Sequence, residues 1–246
     1  MIRLAVAQDL ETLSETTESA VRIRCLWDAY GPDTAFLRFY TDGVGGWLSV
    51  MDGVGVFHTL SAVTEEWVSF IRFYAGLRLL HCDGNNATSF CASPDNPSLR
   101  TGVVLRFNAE APSAADDLIV KTARLDSVYA LLNDCFDTIA PFDAWYVDIS
   151  HRLRHDLCHI AVIQEADKPI SFASTVAETE ENAILGQVAT ASTSRRKGYA
   201  GRCVLDLIYR TQGKRLYILP AHKAAEDLYT KLGFIPCGTW AELTYQ

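Results

Sequence analysis

The stretch Ser192-Thr-Ser-Arg-Arg-Lys-Gly-Tyr-Ala-Gly201 puts three consecutive cations and two glycines where a polar loop gives way to an amphipathic helix predicted from Tyr199. A helix start presents unpaired backbone N–H groups and the positive end of a dipole. Glycines let that backbone come close to a ligand, so the place suits a phosphate or pyrophosphate. Each charge-assisted hydrogen bond there contributes roughly 1.5–3 kcal/mol, and three or four would hold a cofactor. Neither a G-x-G-x-x-G dinucleotide fingerprint nor a G-x-x-x-x-G-K-[ST] loop is present. The same residues also read as a basic turn that opens a surface helix. A second stretch, Pro220-Ala-His-Lys-Ala-Ala-Glu-Asp-Leu-Tyr-Thr-Lys-Leu-Gly-Phe234, sets Ala225, Leu228, Tyr229 and Leu232 at helical spacing and stops at Gly233. Packing and capping alone account for Leu232 and Gly233, and Tyr229 is equally read as a core aromatic.

Taken in order, the two stretches resemble the signatures of the GNAT superfamily of acyl-CoA N-acyltransferases. Arg195-x-x-Gly198-x-Ala200 resembles the family's pyrophosphate loop, R/Q-x-x-G-x-G/A. Ala225, Leu228, Tyr229, Lys231, Leu232, Gly233 and Phe234 stand in register with N-x-x-A-x-x-L-Y-x-K-L-G-F. His222 stands where the family usually has Asn, and its ring can donate and accept as an amide does. The resemblance implies acetyl-CoA as co-substrate, lying between the strand that ends at Ala191 and the strand Arg215–Leu219. Backbone groups of Val188, Ala189 and Thr190 would pair with the pantetheine arm, with His222 at the family's Asn position. The N–H groups of Arg196, Lys197, Gly198, Tyr199, Ala200 and Gly201 would bind the pyrophosphate, with Arg195 and Arg196 adding charge. The Val188 N–H would polarise the thioester carbonyl and Tyr229 would protonate the departing thiolate.

The implied activity is an N-acetyltransferase that passes the acetyl group of acetyl-CoA to a primary amine of a small molecule or amino acid by direct attack. The alternative is a non-catalytic acyl-CoA-binding sensor or scaffold protein. An amine with pKa about 10.4 is mostly protonated at pH 7, so a base or water chain is needed. Gln187 cannot serve. Glu178, near the end of the preceding strand, is the first candidate and His222 the second, although Glu178 also reads as part of a solvated acidic turn with Glu180 and Glu181. Phe142, Trp145, Tyr146 and Asp148 suggest either an aromatic pocket with an acid to hold a cation or plain core.

The elements that must position these residues read as an α+β fold with a mixed sheet. Predicted helices cover 125–135, 142–155 and 199–211, a further helix carries Tyr229, and predicted strands cover 158–164, 170–179, 183–191, 215–219 and 235–243. Residues 118–246 are the expected GNAT domain. Residues 1–112 repeat the order: a helical stretch 10–30, strands 35–40, 46–50 and 54–60 joined by Asp-Gly turns, a helix 64–74 and a strand 77–82. Residues 84–101 are turn-rich, and 102–107 read as strand. The expectation is two GNAT-like halves in tandem, the first degenerate: Ser61-Ala-Val-Thr-Glu-Glu66 replaces the phosphate loop and its acids would repel a pyrophosphate.

The 246 residues carry a net charge of −8. Residues 1–117 hold eight Lys and Arg against fifteen Asp and Glu, whereas residues 118–246 hold fourteen against fifteen. With no basic stripe, nucleic acid is not an expected partner. No apolar run reaches the 18 or so residues of a membrane span, and the N-terminus has no convincing signal peptide, so no membrane partner is expected. Seven scattered cysteines without a C-x-x-C pair fit reduced thiols in the cytoplasm. His151, His155 and His159 are four apart, but the run crosses a predicted helix-to-strand junction, and no metal is expected. The partners expected are a small-molecule amine and, as an assembly, a homodimer.

Overall fold

In a computed structural model that describes residues 1–74, 76–91, 97–120 and 123–245, the chain opens with β1 (Arg3–Leu4), α1 (Glu18–Tyr30), β2 (Leu37–Thr41), β3 (Trp47–Met51), β4 (Val54–His58), α2 (Glu65–Phe73), β5 (Leu79–Asp83), α3 (Ala87–Cys91) and β6 (Ser98–Phe107). It continues with α4 (Leu125–Cys135), α5 (Phe142–Arg154), β7 (Ile160–Glu165), β8 (Lys168–Glu178), β9 (Asn182–Thr190), α6 (Tyr199–Arg210), β10 (Arg215–Ile218), α7 (Lys223–Lys231) and β11 (Phe234–Thr244). Two units emerge, Met1–Val104 with Pro236–Gln246, and Leu105–Ile235. The helical stretch expected over 10–30 is broken, with a 3-10 turn at Ala7–Thr12 and α1 starting at Glu18, capped by the Thr17 side chain. Within the turn-rich stretch 84–101, a 3-10 turn and α3 form, and residues 92–96 lie outside the described residues.

In the first unit β2, β3 and β4 form an antiparallel meander. The chain then crosses through α2 and returns as β5, parallel to β4. The C-terminal strand β11 completes this sheet, pairing antiparallel with β5 from Trp240↔Asp83 to Thr244↔Leu79. Alternation along the strands buries Leu48, Val50, Phe57, Leu80, Ala241 and Leu243 with Trp67 and Ile71 of α2 on one face. Phe39, Trp47 and Val56 pack with Ala20, Ile23 and Trp27 of α1 on the other.

The second unit has the same order. β7, β8 and β9 are an antiparallel meander, α6 crosses over, and β10 returns parallel to β9. The last residues of β6 lie antiparallel against β10, with Leu105 opposite Ile218. Val128, Leu131 and Leu132 of α4 and Trp145 and Ile149 of α5 cover Val162, Phe172 and Ala189. Ser171, next to Phe172, points to the opposite face, where the Cys203 sulfur of α6 lies 3.7 Å from its hydroxyl. Helices therefore lie on both faces of a mixed sheet, and the meander, crossover and parallel return occur twice in the chain.

Candidate functional site

The parallel pair β9–β10 is the element that makes a site. β10 pairs only with Asn182 to Leu185, the first residues of β9. β10 ends at Ile218, opposite Leu185, so beyond it β9 keeps β8 on one side and, among the described residues, has no paired strand on the other, which leaves an opening along its edge from Gly186 to Thr190. The edge is reshaped by a bulge. Pairing with β8 jumps from Ser174↔Gly186 to Phe172↔Ala189, so Gln187 and Val188 together face Ala173. Gln187 takes a φ of 51°, a left-handed conformation that a non-glycine residue adopts at a cost. Trp145 of α5 donates its Nε1–H to Gln187 Oε1 at 3.5 Å, and the Ser174 hydroxyl donates to the same oxygen at 3.2 Å. Sequence reasoning did not find this bulge. Its one local signal is Gly186, a glycine inside a strand.

β9 leads through a 3-10 turn at Ser192–Ser194 into the predicted loop. Arg195 donates Nε–H to the Thr190 carbonyl at 3.2 Å, which turns the chain off the strand end. Arg196 and Gly198 both sit in left-handed conformations, with φ of 67° and 84°. Gly198 is the N-cap of α6 and has no side chain with which to cap it. The first-turn N–H groups of a twelve-residue helix are thus open to an incoming anion, with exposed Arg195, Arg196 and Lys197 beside them. Tyr199 and Ala200 are partly buried and Gly201 is buried. A Cβ on Gly201 would lie 3.8–3.9 Å from Leu232 and Leu228, so α7 lies close against this helix start.

On α7, His222 is the N-cap, and its Nδ1 accepts the Ala225 N–H at 3.2 Å. That fixes the remaining ring proton on Nε2, which stays available at the exposed helix start. Tyr229 is 6% exposed and its ring stands edge-on to Phe234 at 6.1 Å. Burial pushes its hydroxyl pKa up to about 12, so it is fully protonated at neutral pH.

Glu178 is not in a solvated turn. It is 2% exposed. His159 Nδ1 and the Thr175 hydroxyl both lie 2.9 Å from its Oε2, and Lys214 Nζ donates to Oε1 at 2.8 Å. Burial by itself would raise its pKa, but the hydrogen bonds from His159 and Lys214 outweigh it and hold the carboxylate below its usual range. It is also at the wrong end of the sheet. Glu178 faces Ala183 across the β8–β9 ladder, about 16 Å of strand short of Val188. The acid expected in the aromatic pocket is likewise engaged, since Asp148 is gripped by the Arg152 guanidinium one turn along α5. The aromatics do gather: Tyr129 lies 5.4 Å from Trp145 and 5.1 Å from Phe142, with Trp145 buried and Phe142 and Tyr146 exposed. The histidine run does cross a junction, His155 capping α5 and His159 preceding β7. Among the described residues no group of His, Cys, Asp and Glu is arranged to hold a metal.

The first unit does not reproduce the site. β4 and β5 stay paired from Val54↔Leu79 to Phe57↔Cys82, nearly the whole of β4, and His58 Nδ1 lies 3.4 Å from Asp83 Oδ2 at the strand ends. The start of α2 is capped by its own Thr64, which accepts the Trp67 N–H at 3.3 Å, and carries Glu65 and Glu66 in its first turn. A pyrophosphate would meet a closed sheet, an occupied cap and two negative charges.

Residues 125–234 match the model of the acetyltransferase (GNAT) family. Similar solved structures include a GCN5-related N-acetyltransferase from Kribbella flavida, with a TM-score of 0.61 at 14% identity over 92% of this chain and 93% of that one. A GNAT-family acetyltransferase from Colwellia psychrerythraea gives 0.60 at 13% over 100% of both chains. A tandem GNAT protein from the clavulanic acid biosynthesis pathway gives 0.55 at 13% over 99% and 97%. These likenesses bear on the fold, and they extend across both units. No curated protein gives a significant match. The unpaired edge of β9, the uncapped start of α6 and the family match coincide in one segment, residues 125–234, which is similar to the acetyltransferase (GNAT) family.

Proposed function

We propose that the chain transfers the acetyl group of acetyl-CoA to a primary amine of a small molecule or amino acid by direct attack. The observation that carries this reading is the edge of β9 beyond the end of β10, unpaired on that side, leading to a helix start whose cap is a left-handed glycine. That arrangement fits an extended pantetheine arm against Val188, Ala189 and Thr190 and a pyrophosphate on the N–H groups from Arg196 to Gly201, flanked by Arg195. Acetyl-CoA supplies an activated thioester. The chain's own part is electrostatic and positional. The Val188 N–H, taken out of ladder register by the bulge, polarises the carbonyl oxygen. Tyr229 holds a proton for the departing thiolate. The acceptor must lose a proton, which costs roughly 4–5 kcal/mol at pH 7 for a lysine-like amine. With Glu178 held by His159 and Lys214, and with the His222 Nδ1 lone pair taken by the Ala225 N–H, that proton leaves through water at the opening. None of the seven cysteines, all among the described residues, is in a disulfide, in keeping with a reducing, cytoplasmic setting. Among the described residues no helix is long and apolar enough to cross a membrane.

The test is calorimetric titration with acetyl-CoA, followed by a thiol-release assay over a panel of amines. Micromolar binding that Gly198→Glu abolishes, together with thiol release, supports the reading. That Glu178 and Asp148 are both engaged in ion pairs favours a second reading, a non-catalytic acyl-CoA-binding sensor or scaffold, which predicts the same binding without thiol release from any amine.

A further inference from the structure

Gln187 lines the opening, yet the steps above give its side chain no task. We propose that its carboxamide is a hydrogen-bond donor to the acyl acceptor, and that the acceptor therefore carries a carboxylate or carbonyl oxygen beside its amine, as an amino acid does. The assignment rests on the acetyl-transfer reading.

The orientation of the amide follows from its neighbours. An indole N–H can only donate, so the Gln187 atom that faces Trp145 Nε1 at 3.5 Å must be the oxygen. The Ser174 hydroxyl, 3.2 Å from the same atom, takes the second lone pair. Oε1 is then fully used inside the domain. A carboxamide is planar, so Nε2 occupies the other limb, directed away from both anchors. Among the described residues no hydrogen bond engages Nε2, and Gln187 is partly exposed. The side chain cannot readily reorient. Its backbone is held in the bulge between the pairs Ser174↔Gly186 and Phe172↔Ala189, and its oxygen is held by β8 and α5. What remains is an NH2 group, donor only, on a partly exposed side chain one residue from Val188. Tyr129, 5.4 Å from Trp145 and 5.1 Å from Phe142, makes an apolar cluster around the indole that holds the amide. The chemistry such a group recognises is an oxygen with free lone pairs, not an ammonium or an alkyl chain. Asp148 is tied to Arg152 and so does not compete for the role of cation holder.

The discriminating variant is Gln187→Glu, whose carboxylate still accepts from Trp145 and Ser174 but has no proton to donate. Amino acids are compared with the amines left by removing their carboxylates. The wild type is expected to prefer the oxygen-bearing member of a pair by roughly 10- to 100-fold in kcat/KM. In Gln187→Glu that preference is expected to fall below about threefold, with acetyl-CoA affinity unchanged. Independently of turnover, the side-chain NH2 resonances of Gln187, identified by their loss in the variant, are expected to shift when an amino acid is titrated into wild-type protein and to stay put with the matched amine. No preference in the wild type, equal losses for both members in the variant, or unmoved NH2 resonances would overturn the proposal. If resonances shift while no acceptor is acetylated, the transfer reading falls and the donor site stands. If Gln187→Glu does not fold, the wild-type resonances decide alone.

Discussion

Tyr229 and Glu178 show how burial assigns opposite work to two titratable groups. Among the described residues Tyr229 meets no charge that would draw out its proton, and burial lifts its pKa to about 12. An acid is present below its pKa, so Tyr229 stays competent through neutral pH and contributes no alkaline decline below about pH 11. Tyr229→Phe is expected to lower kcat about 100-fold while leaving the calorimetric acetyl-CoA affinity within twofold; an unchanged kcat would reassign Tyr229 to packing. Glu178 is the converse, a carboxylate kept charged by His159 and Lys214. Its lowered pKa means that it stabilises the fold above its ordinary value of 4.5, and that this stability is lost as pH falls through the folded value. Glu178→Gln leaves Lys214 and His159 facing a neutral amide, and is expected to cost about 1–3 kcal/mol in urea unfolding with the shape of the pH–rate profile unchanged. Loss of a profile limb at unchanged stability would make it the base after all.

At the scale of elements, α4 at Leu125–Cys135 coincides with its expected span, because apolar residues at helical spacing and the turn after Cys135 are local signals. The start of α6 was legible for the same reason. What escaped the sequence is set by distant neighbours. Glu178-Thr-Glu-Glu181 looks like a solvated acidic turn, and only His159 and Lys214, 19 and 36 residues away, make its first member a buried ion. The bulge escaped because its left-handed residue is Gln187 and not a glycine, held there by Trp145 and Ser174 from other elements. Where β10 stops pairing is likewise a property of the sheet. The loop offers a controlled test. An added Cβ at Gly198 meets nothing within 4 Å, and the same holds at Gly213 in the turn before β10; their φ angles are 84° and 91°. Alanine at either site should cost about 1–2 kcal/mol of stability, purely through the backbone. Only Gly198→Ala should also weaken acetyl-CoA binding, since Gly198 alone sets the N–H groups of α6. Equal affinities in the two variants would remove the loop from the cofactor site.

On the scale of the whole molecule the chain is not two consecutive beads. β11, at the end of the sequence, completes the sheet of the first unit, and with it Glu242 joins a polar cluster of that unit. His81 Nε2 and Arg22 Nε both donate to the Glu18 carboxylate brought down by α1, and Glu242 lies 3.8 Å from His81 Nδ1. Burial opposes charge on Glu18, but attraction to His81 and Arg22 outweighs it and pulls the pKa from 4.5 to about 2. Burial also opposes charge on His81, and Glu18 again outweighs it, raising that pKa above 6.5. The Glu18 contribution is complete above pH 4.5 and disappears toward pH 2. The His81 contribution is complete below pH 6.5 and disappears as pH rises through its folded value. Stability drawn from the pair is therefore greatest between about pH 4.5 and 6.5. Four of the five tryptophans, Trp27, Trp47, Trp67 and Trp240, lie in the first unit, so intrinsic fluorescence follows its unfolding. Urea midpoints read by fluorescence from pH 3 to 9 should show a gap between wild type and Glu18→Gln that is widest in that window and narrows on both sides. Parallel curves would mean that His81 and Glu18 are held together by packing and not by charge.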